Sequence, residues 1–278
     1  MTKNILPFGK FLKNDLEFVS LIFYIIFSTL IWQTIVSIKR YTKRQERATI
    51  MKNLNELTLK QREELFRQLR ISITHHSNAM EGTTLSYGET KELLELGHTA
   101  GHKPLGEQLV ILGFAKAYDV IVREASNKEC VIDSSFIKDI HAIIFEDALK
   151  VAPQYVSKPI GAYRLDGRYI KGVDIKLSLP HMISNDIENL LYRFHSNKMD
   201  LLDIAEFHIL FERIHPFADG NGRVGRLIMA YQAIQNNIVP PLIENEHRDD
   251  YLKAINNKDD LCKFLDESIT KSLELIDI

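Results

Sequence analysis

The sequence predicts an all-α fold: a bundle of about seven or eight helices with one short β-hairpin, preceded by a membrane-spanning helix. Three observations point there. Apolar residues recur at helical spacing from residue 58 onward. Glycine and proline punctuate one stretch between Pro153 and Gly172, which holds the single credible strand region. A charge-free run, FVSLIFYIIFSTLIWQTIVSI, occupies Phe18 to Ile38.

Taken in order, residues 1–17 form an N-terminal tail and 18–38 the span. At ~1.5 Å per residue a helix of that length crosses the roughly 30 Å hydrocarbon core. It is longer than the apolar stretch of a cleaved signal and ends in Ser37-Ile38-Lys39-Arg40, not in a small-residue cleavage site. Lys39, Arg40, Lys43, Arg44 and Arg47 follow it, against Lys3, Lys10 and Lys13 before it. The denser cluster favours the C-terminal side as cytoplasmic. Residues 39–57 are a charged connector, and 58–278 form the domain.

Within that domain Leu65, Leu69 and Ile73 give an apolar face to a helix ending near Ala79. Ser86 and Glu89 match a capping box that opens a short helix through Leu96. A long apolar helix runs from Pro104 to Glu124, and Ser134 or Ser135 caps another reaching about Ala148. The segment Arg168 to Asp174 reads as the hairpin, and helices resume near His181 and near Leu201.

Composition narrows the function. The net charge of -2 gives no basic field, so nucleic acid is not implied as a partner. The two cysteines, Cys130 and Cys262, have no metal-ligand spacing and fit reduced thiols in the cytoplasm.

The chemistry is concentrated in His215-Pro216-Phe217-Ala218-Asp219-Gly220-Asn221-Gly222-Arg223-Val224-Gly225-Arg226. Helices with clear apolar faces flank it: Ile204, Phe207, Phe211 and Ile214 on one side, Val224, Leu227, Ile228 and Tyr231 on the other. Gly220-Asn221-Gly222 lets the backbone turn tightly and present free N–H groups at a helix N-terminus, a setting that attracts anions. Arg223 and Arg226, three apart, offer two guanidinium forks to phosphate oxygens. Asp219 sets a carboxylate beside that nest, suited to Mg²⁺ next to bound phosphates. His215 supplies an imidazole that titrates near neutral pH, fitting a general base.

These residues match every fixed position of His-x-Phe-x-Asp/Glu-Gly-Asn-Gly-Arg-x-x-Arg, the signature of the Fic family of protein adenylyltransferases, and the chain resembles that family over roughly residues 60–278. The resemblance implies a Fic-type helical bundle that moves AMP from ATP onto a Ser, Thr or Tyr hydroxyl of a target protein. It implies His215 as the catalytic base and Asp219 as the Mg²⁺ ligand. Gly220, Asn221, Gly222, Arg223, Val224, Gly225 and Arg226 would contact the nucleotide, with Arg226 at the γ-phosphate, and Phe217 would anchor the loop in the core. Lys171, Gly172, Val173 and Asp174 would form the part of the flap nearest the nucleotide, and Asn256 an adenosine contact. Relatives often have aromatics where this chain has Arg248 and Asp249.

A second constellation, Ser77-Asn78-Ala79-Met80-Glu81-Gly82, resembles the family's inhibitory motif Ser/Thr-x-x-x-Glu-Gly/Asn. This implies an inhibitory helix over about 58–82, in which Glu81 pairs with Arg226 and occupies the guanidinium meant for the γ-phosphate. A homodimer is compatible with this arrangement. Two other functions stay open at this point: transfer of a different nucleotide or phosphate-containing group, and a non-catalytic ATP-binding membrane sensor.

Overall fold

The computed structural model describes residues 52–127, 130–168, 177–195 and 198–277. The span expected at 18–38 lies outside these residues, as does the hairpin beyond Arg168, including Lys171, Gly172, Val173 and Asp174. No described helix is long and apolar enough to cross a membrane. Among the described residues the fold is all-helical, and the one β-type pairing is an isolated antiparallel bridge between Asn53 and Ile238.

Helix α1 spans Leu59–Ala79 and is opened by a capping box, with Thr58 accepting from the Gln61 N–H and Gln61 reaching back. A turn through Gly82, with φ of 91°, leads on to α2, Tyr87–Leu96. The Ser86–Glu89 box there is complete, and Gly97 closes the helix in the left-handed conformation. Helix α3 is Leu105–Ser126 and α4 is Ser134–Val151. The cap of α4 differs from expectation: it is Asp133, which accepts from the Phe136 N–H at 2.7 Å. Ser135 donates its hydroxyl to that same carboxylate at 2.8 Å, so the serine holds the cap and is not the cap itself.

Helices α5 (Ile183–Phe194), α6 (Leu201–Ile214), α7 (Asn221–Gln235), α8 (Arg248–Ala254) and α9 (Lys258–Leu273) complete the domain. Helix α7 lies at its centre and is buried on all sides from Arg223 to Ile234. A helix that is enclosed all round has no solvent face, which explains why it lacks a polar stripe. Helices α3, α6 and α1 pack on it, and α9 backs α6. Gly113 lets α3 and α4 meet at backbone distance, since a Cβ there would stand 2.2 Å from the Ile144 carbonyl oxygen. Leu54 and Leu57, within the stretch read as connector, are also buried in the core.

Candidate active site

The loop is the link between α6 and α7, and its path is set by where its polar groups find partners. His215 ends α6 in the left-handed conformation, φ 52°, while its N–H still bonds the Phe211 carbonyl at 3.0 Å. Pro216 then stops the helix. The strained turn is held from outside by Arg164, a fully buried arginine. Its Nε donates to the His215 carbonyl (2.7 Å), Nη1 to the Asp166 carbonyl (2.6 Å) and Nη2 to the Ser178 carbonyl (2.6 Å). Its own N–H bonds the Pro216 carbonyl at 2.9 Å. No carboxylate pairs with Arg164 among the described residues, so carbonyl dipoles alone replace its hydration.

Phe217 is fully buried, as expected for an anchor, and stacks on His141 with ring centroids 3.9 Å apart and planes 6° from parallel. Gly161 donates its N–H to His141 Nδ1 at 3.0 Å, which leaves Nε2 to carry the proton toward the Asp219 carbonyl at 3.1 Å. Burial depresses the His141 pKa to about 4, consistent with a neutral ring used as a strut. Asn221 folds its amide back on the loop, accepting from the Phe217 N–H (2.8 Å) and donating to the Phe217 carbonyl (2.9 Å). Its side chain therefore shapes the turn, and only its backbone faces the nest.

Gly220 has φ of 78°, and a Cβ there would lie 2.6 Å from the Phe145 ring. The first intrahelical bond of α7 runs from the Val224 N–H to the Gly220 carbonyl. The N–H groups of Asn221, Gly222 and Arg223 precede it, giving the donor cluster of a helix N-terminus. The Gly220 N–H is taken by Asp219 Oδ1 at 2.6 Å. That oxygen also accepts from Arg223 Nη2 at 3.0 Å, and the Arg223 guanidinium lies over Phe145. The two expected guanidinium forks are thus not displayed side by side, because each has its own carboxylate.

For Arg226 that carboxylate is Glu81. Arg226 Nη2 donates to Glu81 Oε1 at 2.7 Å and to the Ser77 carbonyl at 3.0 Å, and Nε donates to Ser77 Oγ at 2.8 Å. The α1 end is pinned again by Arg248, whose Nε donates to the Met80 carbonyl at 3.1 Å. Burial alone would raise the Glu81 pKa, but Arg226 and then Arg223 outweigh it and hold the carboxyl below its usual range. A Cβ on Gly222 would meet Glu81 Oε1 at 2.6 Å and Arg226 Nη1 at 2.8 Å, so the pair closes directly over this glycine.

Behind Arg226 lies a buried polar group that the sequence reading missed. His208 and Tyr251 share a 2.6 Å hydrogen bond, and burial raises the Glu212 carboxyl to about 7. Gly225 faces this group and not the loop mouth, since a Cβ there would fall 2.7 Å from Glu212 Oε1. Val224 is fully buried in the core. Asn256 donates to the Lys253 carbonyl at 3.0 Å, close to the end of α8. His215 is partly exposed, and its Nδ1 is buried without a full hydrogen-bond partner. Burial depresses its pKa, an effect the nearby Glu212 carbonyl opposes.

His141 had a readable signal, because it shares the apolar face of α4 with Ile137, Ile140, Ile144 and Phe145. Arg164 had none, as it sits in a non-helical segment with no periodic pattern.

These features define a helical domain with an anion-receptive turn at the start of its central helix and a carboxylate closed over that turn. Residues 131–233 match the Fic/DOC family. A protein adenylyltransferase Fic of Aedes aegypti is 26% identical over 250 residues, covering 85% of this chain and 47% of the relative. One of the same name from Nematostella vectensis is 26% identical over 203 residues, covering 69% and 44%. The chain spans less than half the length of these relatives. Among solved structures, a Fic domain containing signaling protein from Bacteroides thetaiotaomicron superposes with a TM-score of 0.69 at 22% identity, covering 85% of this chain and 95% of that one. Fic-1 from C. elegans gives 0.66 at 20% identity, covering 86% and 71%. The chain is thus similar to Fic proteins over residues 131–233, and it shares the fold of their solved structures.

Proposed function

We propose that the chain is a protein adenylyltransferase held inactive by its own α1. The observation that carries this reading is the set of three bonds from Arg226 to Ser77 and Glu81 across the mouth of the loop. A guanidinium at the start of a helix next to free N–H groups is suited to a triphosphate. Here it is occupied by a carboxylate from an element 145 residues away.

When Glu81 leaves, ATP enters with its γ-phosphate on Arg226 and its α- and β-phosphates over the N–H groups of Asn221 and Gly222. The target hydroxyl gives its proton to His215 as its oxygen bonds the α-phosphorus. The bond from that phosphorus to the bridging oxygen breaks, and pyrophosphate departs. The depressed pKa of His215 keeps its ring neutral at pH 7 and able to accept the proton. Positioning and charge neutralisation carry most of such a transfer.

A Mg²⁺ ion fits the donors present. Asp219 has a side chain 38% exposed, and only its Oδ1 is engaged among the described residues. Its other oxygen would hold the ion, which takes its remaining ligands from phosphate and water and neutralises charge developing on the phosphates. The segment Lys171–Asp174 would align the target peptide by backbone pairing. Residues 18–38 would anchor the chain in a membrane, with the domain on the cytoplasmic side. Asn256, whose exposed amide bonds the Lys253 carbonyl, would contact the adenosine.

Incubating the full chain with α-labelled ATP and Mg²⁺ tests the proposal. Loss of one charged pair at about 1.4 kcal/mol predicts about tenfold or greater labelling by Glu81→Gly. His215→Ala should label nothing, alone or combined with Glu81→Gly. Equal labelling by Glu81→Gly and the double variant would reject the mechanism.

A further inference from the structure

A cavity lies away from the motif loop. It lies at the other end of α7, about 20 Å along the helix at ~1.5 Å per residue. Its volume is about 740 Å³, and its walls come from the start of α1, the end of α3, and parts of α5, α6 and α7. That is the size range of a small-molecule site.

The chemistry of the lining is one-sided. Phe66, Phe194 and Phe207 supply apolar wall, while Arg62 and Lys198 supply positive charge. No aspartate or glutamate lines the cavity among the described residues. Neither cation has an ion pair among them, and Arg62 Nε is buried without a hydrogen-bond partner. Gln232, only 4% exposed, also lines the cavity with its amide oxygen unpartnered. A buried amide or guanidinium N–H left without a partner is costly in a folded protein. Cations near a helix C-terminus do complement its dipole. The last carbonyls of α7 are instead met by the N–H groups of Asn236, Asn237 and Ile238, and the Asn236 side chain also donates to the Gln232 carbonyl at 2.8 Å.

We propose that this cavity binds a small organic anion: a phosphate or carboxylate seated on Arg62 and Lys198, with an apolar or planar body against the three phenylalanines. The Gln232 amide, turned either way, bonds a polar group on that body. A cationic ligand is disfavoured by two cations that have no ion pair among the described residues, and a purely apolar one would leave Arg62 and Gln232 unsatisfied.

Titrating the full chain with 1-anilinonaphthalene-8-sulfonate, an anionic group on an aromatic body, reads the site directly. The expected result is saturable fluorescence enhancement with one site per chain. Reversing a contacting charge should weaken it by about tenfold or more in Arg62→Glu. Lys198 is exposed, so Lys198→Glu does not endanger folding and should also weaken binding. Displacement of the probe by dodecanoate marks an acyl carboxylate as the source, and displacement by AMP marks a nucleotide. Displacement by neither, or probe binding unchanged in both charge-reversal variants, overturns the proposal.

Discussion

Arg164 shows how one residue can hold a reactive loop without touching what the loop binds. Its three side-chain nitrogens reach carbonyls on both sides of the turn, and it forms no salt bridge among the described residues. Burial depresses its pKa, yet no ordinary pH discharges a guanidinium. Arg164→Met would leave the part-buried His215, Asp166 and Ser178 carbonyls without this donor. A loss of about 3 kcal/mol or more in unfolding free energy follows, measurable by denaturant titration. Arg164→Lys should recover only part, because an ammonium lacks the planar fork. His215 carries a second prediction at this scale. With its pKa depressed by burial, the neutral ring persists below the ordinary 6.5. Glu81 opposes that shift, so its removal moves the ring further the same way. The acid limb of labelling by Glu81→Gly should therefore have its midpoint below pH 6.5, and a midpoint at or above 6.5 would show that the base is not this desolvated ring.

Between elements, the tightest contact is that of α3 with α4 at Gly113. Ile144 O and Ile143 O would lie 2.2 and 2.7 Å from an added Cβ, and both are backbone atoms that cannot swing away. Gly113→Ala should cost about 3 kcal/mol despite alanine's better helix propensity, read as a fall in denaturation midpoint with the slope unchanged. Such a site also marks where sequence reading stops. The helices are legible because their apolar spacing and the Ser86–Glu89 box are local signals, and the helix expected to end near Ala79 ends there. The start of α4 was less so, since Asp133, Ser134 and Ser135 are all good caps and only geometry chooses Asp133. In the site, the turn at Gly220 and the meeting of Ser77 and Glu81 with Arg226 match what the motifs implied. The inward faces of Val224 and Gly225 were hidden, because a motif names residue types and not the side of the helix they occupy. Arg164 was hidden for a deeper reason. Its partners are backbone carbonyls, which leave no trace in residue identity.

Across the whole domain, burial of neutral histidines makes stability depend on acid. His76, His141 and His208 are each no more than 9% exposed, and burial depresses their pKa values to about 4, about 4 and about 3. The unfolded chain takes up protons at these rings near pH 6.5, whereas the folded chain takes them up only two or more units lower. Stability from these groups is therefore full above 6.5 and falls as pH drops toward the folded values. Each ring loses on the order of 2 kcal/mol by pH 5. Glu212 works the other way. Its folded pKa of about 7 means that the native state holds a proton the unfolded chain has released, so falling pH favours folding through this group. That offsets roughly 2 kcal/mol of the loss between pH 7 and 5, leaving a net cost of about 4 kcal/mol. For a domain of this size that is a drop in Tm of roughly 8–16 °C. Replacing Glu212 by Gln removes the opposing group, so the Tm of Glu212→Gln should fall more steeply with acid than that of the parent chain. A shallower fall would mean that Glu212 is ionised in the folded state at pH 7, stabilised there by Arg226.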